Sequence, residues 1–339
     1  GQVIPGHKKL VYVVNVKEAD LDCDAPYAIA DITLVVDGLP SVFARDVAVT
    51  IVGDRVQTTK PTTVDYRRLM EFSIGEPSRA FGDAFKPYDG AVRTPRMPGP
   101  PYLTMSRVES VTGSPLVVAA PQTVVIDYDV PKDAWYFDAV GAQAPLPLAL
   151  LLEIALQPCG WLTAWQGSAL LLGGDVYFRN LGGKATTHTS IWRDVGTLTT
   201  TATLTSTANS AGMLLTFFTF EVKAGDTPVY SGETHFGYFT PESLSEQKGL
   251  SETDLPEIPD EPDSEYAAPI HRADLRMFDR ILTANPTDGQ YGLGRYVADY
   301  KVRADDWFFT AHFHQDPVMP GSLGVEGLAQ LAAWALRQR

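Results

Sequence analysis

Alternation of apolar and polar positions dominates the chain. Residues 32–36 and 41–52 alternate and are rich in β-branched side chains, with Asp37-Gly38 between them, a spacing that predicts a hairpin. The stretches 123–130, 196–206, 214–222, 229–239 and 294–302 repeat this pattern and are predicted strands. Helical spacing is scarcer. It predicts a short helix over 65–74, with Leu69, Met70 and Phe72 inward, and two long ones over 148–165 and 323–338. Pro158 falls inside the first long helix and predicts a kink or an end there. Four prolines in residues 93–102 exclude a helix or a central strand.

Composition narrows the function classes. The 339 residues carry a net charge of −14, which opposes nucleic acid or an anionic membrane as partner. Nine acidic residues and one Lys lie between Glu242 and Tyr266, among Pro256, Pro259 and Pro262, so residues 241–269 are predicted to be an extended, solvated linker. Cys23 and Cys159 cannot make a disulfide scaffold or a four-cysteine zinc site. The apolar run 145–156 is broken by prolines and Glu153 and is shorter than the roughly 20 residues of a membrane span. The first ten residues lack the continuous apolar run of a signal peptide, and the expected location is cytoplasmic.

An internal repeat is visible. Residues 134–161 match 306–334, pairing Trp135 with Trp307, Phe137 with Phe309, Pro147 with Pro320, Glu153 with Glu326, Gln157 with Gln330 and Trp161 with Trp334. Residues 37–52 match 224–239 in spacing, so strands that follow the helix in the first copy stand at the opposite end of the chain in the second. The copies differ in chemistry: His312 falls where the first copy has Val140.

An HxH pair, His312 and His314, on a strand and followed by Asp316 would turn both rings to one face and suggests a metal site. The other four histidines offer no third or fourth ligand at metal spacing, and no metal is expected. Desolvation among the aromatic residues of 307–313 would instead keep His312 neutral and basic. Glu153 and Glu326 sit in apolar helical runs, where a carboxyl is costly unless paired. Gln157 and Gln330, one turn on, are the simplest partners. A His and a Glu in one apolar pocket make an acid–base pair. No GxSxG or Walker A motif competes, and the glycines of 292–296 lack dinucleotide-binding spacing.

Residues 312–327, HFHQDPVMPGSLGVEG, closely resemble the active-site segment of β-hydroxyacyl-acyl carrier protein dehydratases of the β-hydroxydecanoyl type. Glu326 stands where that type usually has Asp. PSRAFG (77–82), RMPGPPYLTMSRV (96–108) and LLEIALQPCGW (151–161) resemble the tandem dehydratase region of bacterial polyunsaturated fatty acid synthases. The resemblance implies an α+β double hot-dog fold, two curled antiparallel sheets each wrapping a long helix. It implies dehydration of 3-hydroxyacyl thioesters to 2-trans-enoyl thioesters, with or without 2-trans/3-cis isomerisation. By position, His312 is then the base, working with Glu153 from the other copy; Gln157 supports that carboxyl, the Gly321 N–H faces the oxyanion, and Glu326 is the alternative acid. No cofactor is implied beyond phosphopantetheine on an acyl carrier protein. Other implied partners are neighbouring synthase domains, and a homodimer is compatible. A hot-dog acyl thioesterase and a non-catalytic scaffold module are the competing readings.

The domain expectation follows. Residues 1–60 are the later half of a hot-dog unit, expected to complete the second unit by pairing strands 32–36 and 41–52 onto 294–302, within one molecule or by exchange. Residues 61–95 connect, 96–240 form the first unit without a catalytic His, and 270–339 form the earlier half of the second unit.

Overall fold

The structure, a computed structural model, describes residues 10–20, 27–37, 39–50, 63–90, 93–140, 144–210, 212–245, 273–288, 292 and 294–337. The predicted linker from 246 to 269 lies outside them, while its first residues form a short helix. Two compact units are present, Gly1–Thr59 and Lys60–Arg339.

The first unit is an antiparallel meander of β1 (Leu10–Asp20), β2 (Tyr27–Val36) and β3 (Leu39–Thr50). Asp37, at the predicted hairpin turn, has φ 47°. β2 pairs with β1 along one edge and with β3 along the other.

The second unit opens with α1 (Tyr66–Ile74), whose N-cap Asp65 accepts from the Arg68 amide, and α2 (Pro77–Phe81). Leu69 and Phe72 are buried and Met70 is half-buried. The proline-rich segment 93–102 is irregular, as predicted. Then come β4 (Arg107–Val111), β5 (Gln122–Asp129), α3 (Trp135–Val140), α4 (Leu148–Trp165), α5 (Ser168–Leu171), β6 (Tyr177–Thr187), β7 (Thr197–Ser210), β8 (Met213–Ala224), β9 (Thr227–Phe239) and α6 (Pro241–Ser245). The final segment carries β10 (Arg280–Asn285), β11 (Arg295–Asp299), α7 (Phe308–Ala311) and α8 (Gly321–Arg337).

Six strands form one antiparallel sheet in the order β4-β5-β7-β8-β9-β6. Strand periodicity places alternate residues of β8 (Leu214, Thr216, Phe218, Phe220, Val222) in the core. Helix α4 lies on that face, against β5, β7 and β8. This sheet around one long helix is the hot-dog arrangement in an α+β chain. By length and composition α4 would also suit a membrane span, but 78% of it is buried inside the protein, as in a core helix.

Pro158 does not end α4, which continues to Trp165. A proline here removes the N–H that the Ile154 carbonyl would accept, and the Thr200 hydroxyl of β7 donates to that carbonyl at 3.0 Å. Tertiary packing supplies the missing bond.

Candidate active site

Helix α8 packs on α4, and β10–β11 make a separate two-stranded sheet rather than extending the six-stranded one. The two helices are related by the repeat down to their hydrogen bonds. Gln157 accepts from the Thr104 amide (2.9 Å) and donates to the Tyr102 carbonyl (2.9 Å) and to Glu153 Oε2 (2.9 Å). Gln330 accepts from the Met277 amide (3.1 Å) and donates to the Leu275 carbonyl (2.8 Å) and to Glu326 Oε1 (3.1 Å). The indoles of Trp135 and Trp307 donate to the Pro101 and Asp274 carbonyls in the same equivalent way. The duplication therefore reaches back to about residue 101 in one copy and 274 in the other.

One cavity of about 410 Å³ lies between the copies. His312, Glu153, Gln157 and Gly321 all line it, together with Ser322 and Arg179. The apolar wall includes Leu152, Leu156, Phe178 and Val325. A second cavity of about 440 Å³ shares Leu152, Leu156, Asn180 and Val325 with the first and runs beside α4 to β6 and β9.

His312 is not on a strand. It caps the short helix α7, and the chain turns back through residues 313–318. Its Nδ1 lies 2.9 Å from the Val318 carbonyl. A carbonyl only accepts, so Nδ1 carries the proton and Nε2 keeps its lone pair. Burial holds the imidazole down at about 4, so it is neutral through the neutral range. Asp316, the third member of the HxH reading, is instead in a two-pronged ion pair with Arg179 of β6 (2.6 and 2.8 Å). This pair ties the His312 turn to the sheet.

Glu153 is buried in α4. Its Oε1 accepts from the Ser322 hydroxyl at 2.6 Å, in addition to the Gln157 bond at Oε2. Burial raises its carboxyl above the ordinary range despite those two hydrogen bonds, which favours the protonated acid. Glu326 is also buried, but it does not line the cavity. It accepts from the Ala149 amide at 3.2 Å and from Gln330. The histidine from the second copy and the carboxyl from the first therefore share one cavity.

Sequence reasoning missed three members of this arrangement. Ser322 reads as an ordinary residue at a helix start, and Tyr102 is 220 positions away from the serine it touches. Arg179 lies in a strand the alternation did not reveal. Aligning the two copies position by position would have flagged Ser322 and Tyr102, since Ala149 and Leu275 replace them.

Comparison with known proteins bears on the same segment. Residues 270–339 match the family model described as the FabA-like domain. The chain is also similar to a polyunsaturated fatty acid synthase component of Thraustochytrium sp., 29% identical over 316 residues, which cover 82% of this chain. It spans only 21% of that relative's length. Among solved structures, the dehydratase heterocomplex ApeI:P from Xenorhabdus doucetiae matches at 15% identity, covering 43% of this chain and 89% of that one, with a TM-score of 0.34. The fluoroacetyl-CoA thioesterase FlK matches at 15% identity over 38% of this chain and 93% of its own, with a TM-score of 0.30. The matched segment holds His312, Gly321 and Ser322, and Glu153, which lines the same cavity, lies outside it.

Proposed function

We propose that the chain removes water from 3-hydroxyacyl thioesters, with His312 as base and Glu153 as acid. The observation that carries this reading is the shared cavity: a neutral imidazole whose Nε2 keeps its lone pair and a buried carboxyl whose hold on its proton is strengthened line one apolar space. Nε2 takes the α-proton, and the electron pair of the C–H bond forms the double bond. The C–O bond to the β-hydroxyl then breaks as Glu153 gives its proton to the departing oxygen, which leaves as water. Charge that develops on the thioester oxygen is met by the Gly321 N–H at the start of α8, where orphan amides and the helix dipole favour an anion. The imidazolium and carboxylate left behind return to their starting forms by net transfer of one proton. The acyl chain runs past Leu152 and Leu156 into the second cavity, and its thioester reaches the site on the phosphopantetheine of an acyl carrier protein. Neighbouring synthase domains are the natural source of that carrier.

The test is incubation of the protein with a 3-hydroxyacyl N-acetylcysteamine thioester, followed by mass spectrometry. Loss of water to an enoyl thioester is expected. Release of free 3-hydroxy acid would point to hydrolysis, and no conversion at all to a non-catalytic role.

A further inference from the structure

The two copies keep the Glu–Gln pair alike but differ around it. Beside Glu153, the Ser322 hydroxyl of α8 spends its single proton on Oε1 at 2.6 Å. The Tyr102 hydroxyl lies 3.0 Å from the same Ser322 oxygen, so the tyrosine must donate and the serine accept. Tyr102, Ser322 and Glu153 thus form a one-way chain of hydrogen bonds, buried throughout. Beside Glu326, the corresponding place in α4 is Ala149, whose backbone amide makes the contact, and Leu275 stands in for the tyrosine. The hydroxyl pair is present only in the copy whose carboxyl lines the cavity with the histidine.

We infer that Tyr102 and Ser322 are positioning residues for the working acid, holding Glu153 Oε1 in place so that the carboxyl's proton is presented to the cavity. This rests on the dehydratase reading. Two of the three bonds that orient the Glu153–Gln157 unit come from the segment 102–104, while the serine comes from the helix that also presents Gly321. The carboxyl is therefore registered against both halves of the site at once. A hydroxyl chain also stabilises the carboxylate left after proton delivery, whereas the backbone amide at Glu326 is a donor fixed by its helix.

Ser322→Ala reproduces what Ala149 already is in the other copy, and Tyr102→Phe removes one oxygen only. In Ser322→Ala, kcat is expected to fall about 10- to 100-fold, the worth of one hydrogen bond to an ionisable carboxyl, with KM little changed. The high-pH limb of kcat moves further up, because a bond favouring the carboxylate is gone. Tyr102→Phe moves kcat and the limb the same way by less. The double variant matches Ser322→Ala, since the tyrosine acts through the serine. An infrared titration of the Glu153 carboxyl band, identified by difference from Glu153→Gln, must show the same upward shift whether or not the wild type turns over. If the wild type fails to dehydrate but the band shifts, the function reading falls and the hydroxyl chain stands. If Ser322→Ala leaves the Glu153 band where it is, or if the two substitutions add independently, the inference is overturned.

Discussion

His312 is the residue whose environment most constrains the chemistry. Its folded value near 4 lies below the ordinary 6.5, so the base form persists as pH falls and the acid limb of kcat is expected near 4. An acid limb between 6 and 7 would show that the imidazole is not desolvated in the working protein. The same shift has a consequence for stability. Between about 6.5 and 4 the unfolded chain takes up a proton that the folded imidazole refuses, so stability falls as pH falls through that window. His312→Gln should flatten that slope in chemical denaturation carried out across the window. Glu153 acts in the opposite sense. Its raised value keeps the acid protonated beyond the usual carboxylate range and costs stability as pH rises past 4.5. The sequence marked both residues, one by a missing histidine in the other copy and one by a carboxyl in an apolar helix. Ser322 and Tyr102 escaped because a hydroxyl at a helix start and a tyrosine after prolines have ordinary local explanations.

At the level of elements, α4 tests how packing overrides propensity. The Thr200 hydroxyl supplies the donor that Pro158 lacks, so Thr200→Val should cost about 1–3 kcal/mol by leaving the buried Ile154 carbonyl unpaired. In a Pro158→Ala background the restored amide should remove much of that cost, a coupling that thermal unfolding of the double-mutant cycle measures. The Arg179–Asp316 pair links β6 to the turn carrying His312. Asp316→Asn should therefore lower kcat more than it lowers the melting temperature, read by steady-state kinetics beside calorimetry. Strands with strict alternation, such as β5 and β8, were legible in the sequence. β6 was not: its glycines and polar residues leave it mostly exposed, and its pairing with β9 holds it in place. β1, β4 and β10 were missed although each pairs with the next strand in the chain, because none carries a full two-residue alternation. That α4 does not end at Pro158 was not legible, because a local rule could not see Thr200.

For the whole molecule, the duplication accounts for a single cavity lined by both copies. Each copy contributes a helix with a Glu–Gln pair, but the histidine stands in one and the carboxyl that shares its cavity in the other, so on the proposed reading neither copy contains a complete acid–base pair. This division was legible from the repeat, and the pairing of β2 with β3 from the turn at Asp37. The most direct test compares three variants with the wild type on one 3-hydroxyacyl N-acetylcysteamine substrate, following enoyl formation. Glu153→Gln and His312→Gln should each lower kcat by roughly 10²–10⁴-fold, while Glu326→Gln stays close to wild type. Retained activity in Glu153→Gln, with loss in Glu326→Gln, would contradict the assignment of the acid to the opposite copy.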